Sequence, residues 1–187
     1  APVDQVLAEL QSALRAHVEA GIDFISIVGS GEPTLHSEIG TLIEQTKAMT
    51  DIPVAVITNG ALLYLPEVRQ DLDAADVVMP TLNAGNALLY RRIARPHREI
   101  TFARFAEGLV AFRQSYRGRF WIEVMLIKGV NDSVAHLREL ATVLRSIQPD
   151  EIHITLPTRP PTEEWVEAPS AATVEQAYSI LGGTARV

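Results

Sequence analysis

Val28-Gly29-Ser30-Gly31-Glu32-Pro33-Thr34 closes an apolar run, Ile22 to Val28, and stands just ahead of a helix-patterned stretch, Ser37 to Met49. Two glycines allow a tight turn and close approach of a ligand to the main chain. Glu32 lies between Gly31 and Pro33, where the proline restricts the backbone. A phosphate cradle presents backbone N–H groups and often a lysine, and a fixed carboxylate would repel its ligand. The loop therefore suits a cation with several N–H donors, such as the ammonium of an amino acid. The dinucleotide fingerprint is disfavoured too, because Glu32 and Thr34 stand where that pattern needs freedom and a third glycine.

Outward from this loop, strand and helix patterns alternate along the whole chain. Apolar residues at Val6, Leu7, Leu10, Leu14 and Val18 have helical spacing, predicting a helix from Val3 to Ala20. Short β-type runs follow at Phe24 to Val28, Pro53 to Thr58, Asp76 to Leu82, Phe120 to Ile127 and Glu151 to Leu156. Helical segments separate them, and Ser133 is a good N-cap for the one ending at Ile147. Strands apolar on both faces, joined by helices, predict a buried parallel sheet. Each strand ends in a polar loop: Gly29 to Thr34, Asn59-Gly60, Asn83 to Asn86, Gly129 to Asp132 and Thr158-Arg159. Ligands of such sheets and barrels sit at that C-terminal edge.

Polar residues inside strands point the same way. Glu123 alternates with Ile122 and Val124, and His153 with Ile152 and Ile154. A charge packed under helices is costly, so both side chains are expected on the face away from the helices. Either they line a binding cavity or they form a structural polar core with their neighbours.

The 187 residues suit one domain, and 47% hydrophobic residues suffice for a core. A formal charge of −7 gives no global basic field for nucleic acid. A basic cluster, Arg91, Arg92, Arg95, His97 and Arg98, reads either as a solvated helix end or as a contact for an anionic substrate or, locally, for RNA, a nucleic-acid partner that the net charge does not favour. No apolar run reaches membrane-spanning length, which makes the cytoplasm the expected compartment. There is no cysteine, which excludes disulfides and thiolate-held metals within these residues, and no histidine pair has metal spacing.

In order along the chain, Gly29-Ser30-Gly31-Glu32-Pro33-Thr34-Leu35, Thr58-Asn59-Gly60, Met79 to Ala84, Glu123 to Asp132 and Thr158-Arg159-Pro160-Pro161 resemble radical S-adenosylmethionine (SAM) enzymes. The similar subgroup is the Fe–S oxidoreductase-like set related to wyosine-synthesis and glycyl-radical activating enzymes. The resemblance implies an α/β fold, a partial (βα)6 TIM-like barrel, here with five parallel strands and the first strand missing. Residues 1–161 would form the barrel and residues 162–187 a C-terminal linker and helix. It implies reductive cleavage of SAM at a 4Fe–4S cluster, yielding a 5′-deoxyadenosyl radical for hydrogen abstraction. An electron donor such as flavodoxin or ferredoxin would reduce the cluster.

The resemblance also implies site residues. Glu32 and the backbone of Gly29, Ser30, Gly31 and Pro33 would hold the SAM ammonium. Thr58 and Asn59 would contact the methionine part, and Asn83 would sit near the ribose. Glu123 and Met125 would lie near ribose or substrate, and Leu156 near adenine. His153, Lys128 and Arg159 are the substrate-side candidates. The cluster's cysteine motif belongs upstream of the first helix, so its ligands are absent and the chain as given cannot run that chemistry. Two alternatives stand beside this reading. One is a cluster-independent (βα)-barrel lyase or hydrolase using Glu123 and His153 as acid and base. The other is a degenerate, non-catalytic SAM-binding scaffold.

Overall fold

The computed structural model describes residues 2–17, 21–158, 163–182 and 185–186. Its frame is one parallel sheet whose strands follow chain order, β1(Ile25–Ile27), β2(Val54–Thr58), β3(Val77–Pro80), β4(Arg119–Met125), β5(Glu151–Thr155) and β6(Ala185–Arg186). The helices are α1(Val3–Ala16), α2(Ile39–Met49), α3(Pro66–Asp71), α4(Ala87–Ala94), α5(Phe102–Ser115), α6(Val134–Ile147) and α7(Ala171–Leu181). The five expected strands are all present. The sixth is an addition: two tail residues pair in parallel with β5, Ile152 against Ala185 and His153 against Arg186.

Burial divides the strands as the alternation requires. Ile122, Val124, Ile152 and Ile154 are buried against the helices, while Trp121, Glu123, Met125, His153 and Thr155 are half-buried on the other face. Strand β2, paired on both sides, is almost wholly buried. Strand β1 departs from the buried strand expected between Phe24 and Val28. It alternates between partial burial and exposure, and Val28 is 62% exposed. The cause is its position: β1 is an edge strand, paired only with β2 among the described residues.

One contiguous core fills the helix side, with Phe105, Phe112 and Phe120 each about 1% exposed or less. Rings stack through it, Tyr90 on Phe105 at 4.8 Å and Phe112 on Tyr116 at 4.6 Å. Such pairs add to stability beyond the area that they bury. Helix α7 packs against α6 on the outside of the sheet.

Two aspartates pin the N-terminal ends of the strands. Asp76 accepts the Val54 N–H at 2.8 Å and pairs with Lys47 at 2.5 Å. Asp150 accepts the Phe120 N–H at 2.7 Å and holds the Arg113 guanidinium through both oxygens, at 2.9 and 3.0 Å. Burial opposes the Asp76 charge, yet the hydrogen bonds from Lys47 and Val54, with Lys47 and Arg119 nearby, hold its pKa below the usual value.

Close backbone approach at the opposite end depends on glycine. Gly60 has φ +72, and a Cβ there would stand 2.9 Å from the Pro80 Cβ. At Gly85 a Cβ would meet the α6 backbone at 2.3 Å, so the loop after β3 lies directly on that helix.

Candidate functional site

Glu32 ties the first two strand ends together. Its Oε1 accepts the Thr34 N–H at 3.1 Å, the Thr34 hydroxyl at 2.6 Å and the Thr58 hydroxyl across from β2. Its Oε2 accepts the Asn59 N–H at 2.7 Å. A carboxylate offers about four lone-pair sites, so Oε2 retains capacity for a further donor. Thr58 is 3% exposed, and its hydroxyl also accepts the Gly60 N–H at 3.0 Å. It sets the position of the acid and turn rather than facing the solvent.

The next two strand ends are joined by amides. Asn83 Oδ1 accepts the Met125 N–H at 2.8 Å. Asn131, 1% exposed, donates to the carbonyls of Asn83 and Met125 and accepts the Ile127 N–H at 2.7 Å. Deeper on the same face, Glu123 accepts the Thr81 hydroxyl at 2.8 Å and the Thr155 hydroxyl at 3.3 Å.

A cavity of about 650 Å³ opens over these strand ends, within the range of small-molecule sites. Glu32, Asn59, Thr81, Asn83 and Met125 line its sheet end. Leu62, Tyr90, Ile93, Ile100 and Phe105 form apolar walls, and Tyr64, Arg95, His97 and Glu99 also line it. Four of the expected site residues therefore meet here: Glu32, Asn59, Asn83 and Met125.

The other candidates are placed differently. Gly29, Gly31 and Pro33, with Glu32, line a second groove of about 570 Å³ between β1, α1 and α2. Neither Gly29 nor Gly31 has a positive φ, and a Cβ on Gly31 would meet nothing within 4 Å. At Gly29, by contrast, a Cβ would stand 3.1 Å from the Gly31 carbonyl oxygen, so the turn there is tight, while Gly31 leaves the main chain open to close access. Ser30 is exposed. Leu156 packs at the margin of the core. Arg159 lies outside the described residues.

His153 stacks on Trp121, ring centres 4.8 Å apart, and its Nε2 is 3.1 Å from Glu151 Oε2. It pairs in register with Glu123, yet neither lines the cavity. Lys128 is exposed and bound to Glu167 through its ammonium at 2.7 Å and its backbone N–H at 2.9 Å. The hydrogen bond and charge of Glu167 raise its pKa.

Thr81, Tyr64 and Tyr90 are among the lining residues that sequence patterning passed over. Thr81 stands two residues before Asn83, hence on the same side of the strand, and that spacing was the available signal. The tyrosines come from helices and loops whose packing is set only by the fold. His136, which patterning did not single out, is half-buried, and its Nδ1 has no partner among the described residues.

Segment 163–167 runs alongside the cavity. Glu163 pairs with Arg95 at 2.7 Å, Trp165 lies 5.8 Å under the Arg92 guanidinium, and Glu167 holds Lys128. Among the described residues no three acids or histidines could hold a metal ion. No helix there is long and apolar enough to cross a membrane.

The family model described as Radical SAM superfamily matches residues 2–141. A protein named GTPase Obg from Brachyspira hyodysenteriae is 41% identical over 175 residues, covering 94% of this chain and 25% of that protein. No G-x-x-x-x-G-K-[ST] phosphate loop occurs in the present sequence. The chain spans about half, or less, of the length of the first curated relatives it matches. Among solved structures, a radical SAM methyltransferase from Sphaerobacter thermophilus superimposes with TM-score 0.81 at 23% identity, covering all of this chain and 57% of that one. Streptococcus suis SuiB bound to S-adenosylmethionine gives TM-score 0.68 at 16% identity, over 95% of this chain and 39% of that one. These two likenesses establish the partial-barrel fold.

Proposed function

The chain belongs to the radical SAM superfamily, and on that premise we propose that the cavity at the C-terminal edge of its sheet holds SAM for reductive cleavage at a 4Fe–4S cluster. The observation that carries this is a carboxylate, Glu32, fixed across two strand ends and facing a cavity shared with Asn59 and Asn83. The residues present suit SAM: an acid with spare acceptor capacity, two amides, and apolar walls for a ring. They do not suit the cluster, because the sequence has no cysteine. Thiolate ligands are not among these residues.

In this reading Glu32 and the main chain of Gly29 to Pro33 receive the ammonium of SAM, and Thr58 holds Glu32 in place. Asn59 contacts the methionine part and Asn83 the ribose. Glu123 and Met125 lie near ribose or substrate, Leu156 near adenine, and Lys128, His153 and Arg159 on the substrate side. Bound SAM supplies an alkyl radical for hydrogen abstraction when it is reductively cleaved. Superfamily membership suggests an enzyme; oxidoreductase-like chemistry, a flavodoxin- or ferredoxin-type reductant and a cytoplasmic location are our finer assignments. So is the division into a barrel at residues 1–161 and a linker and helix at 162–187.

The acid–base alternative is not favoured. Glu123 is occupied by two threonine hydroxyls, and His153 stacks on Trp121 outside the cavity.

The natural gene product, reconstituted anaerobically with iron and sulfide and then reduced, is expected to release 5′-deoxyadenosine from SAM. Glu32→Gln should abolish that release. No release from the wild type, with cluster absorbance present, would overturn the proposal.

A further inference from the structure

The cavity lining carries charge of both signs. Its sheet end carries Glu32 with the amides Asn59 and Asn83, whereas Arg95 and His97 line it from the segment after α4. Between residues 91 and 104 there are five arginines and one glutamate, in a chain whose net charge is −7. Positive charge is thus concentrated beside this cavity against the overall balance. Arg95 ends α4 with φ +46, a left-handed conformation uncommon for a side chain without an amide or carboxylate of its own. A residue held this way at a cavity wall is a candidate for function.

The guanidinium already holds an oxyanion. Glu163, from the segment beside the cavity, places its carboxylate 2.7 Å from Arg95 Nη1, and the two side chains are 38% and 62% exposed. Exposed ion pairs are weak and easily exchanged. Arginine's planar fork fits carboxylate and phosphate alike. Glu99 is the opposing acid on this part of the wall, and Arg91, Arg92 and Arg98 lie nearby in sequence and exposed.

We propose that the Arg95–His97 end of the cavity docks an oxyanion, a phosphate or carboxylate carried by the substrate, and that Glu163 occupies the place of that group until substrate arrives. The inference rests on the assignment of the Glu32 end to SAM, since that leaves the basic end for the second ligand. It narrows the substrate to an anionic class.

Isothermal titration of the protein with pyrophosphate, and separately with malonate, tests this with and without saturating SAM. Saturable binding of either probe is expected, and the preferred probe identifies the oxyanion. Arg95→Ala should weaken it by roughly tenfold or more, the scale of one charge-assisted hydrogen bond, without changing the thermal midpoint. Glu163→Gln, which removes the competing carboxylate, should tighten it. Failure of both probes to bind, or equal binding by Arg95→Ala, would overturn the proposal. So would expulsion of the probe by SAM, which would assign Arg95 to the cofactor's own carboxylate. Loss of SAM binding alone, with the Arg95-dependent anion site intact, would instead remove the cofactor assignment and leave this site standing.

Discussion

Glu32 shows how a single residue can be read correctly for its place and incompletely for its contacts. A carboxylate between Gly31 and Pro33 stood out in the sequence, because nothing in a phosphate loop or a dinucleotide turn calls for one, and in the fold it lines the cavity. Its dependence on Thr58, 26 residues later, was not legible, because it follows from the lateral pairing of β1 with β2. Thr58→Val should therefore destabilise the fold by about 2 kcal/mol, the cost of removing a buried hydroxyl bonded to a charged group. Urea denaturation measures it. A change within about 0.5 kcal/mol, ordinary for a surface substitution, would mean that the contact does not hold the loop. The glycines beside Glu32 teach the converse. They were read as allowing a tight turn and close approach of a ligand, and they do so without a positive φ, which appears instead at Gly60 after the next strand.

Strands and helices were the most readable elements, because alternation and helical spacing report directly on which face is buried. The sixth strand was not readable: Ala185–Arg186 is two residues long, too short for any periodicity, and it exists only because β5 offers an unpaired edge. The segment ends also sort by function. Polar residues at the C-terminal ends build the cavity, while Asp76 and Asp150 at the N-terminal ends bond strands and basic side chains. The depressed pKa of Asp76 gives its role a pH signature. A carboxyl group whose folded value lies below its unfolded value, about 3.9, contributes stability that is complete above that value. The contribution is lost as pH falls through the folded value. The stability gap between wild type and Asp76→Asn should thus stay constant above about pH 5 and narrow steadily below about pH 4. Denaturation midpoints across this range measure it, and a gap that widens on acidification would refute the role.

At the scale of the whole molecule, the chain is one sheet with its core on the helix side and its polar loops on one edge. That arrangement was legible from the order of strand-end motifs. The cavity walls were not, since Tyr64, Tyr90 and Phe105 come from separate helices and loops and converge only in the fold. The same holds for the acidic segment 163–167, whose ties to Arg95, Arg92 and Lys128 span 39 residues or more. The lining residues present an acid, amides and a basic wall around one cavity, and no thiolate. In the proposed function SAM lies between Glu32 and Asn83. Backbone amide shifts recorded during a SAM titration of the protein test this most directly. Saturable shifts, one site per chain, should concentrate at Glu32, Asn59, Asn83 and Met125 and vanish in Glu32→Gln. Shifts centred on the groove between α1 and α2, or no saturable shifts at all, would contradict it.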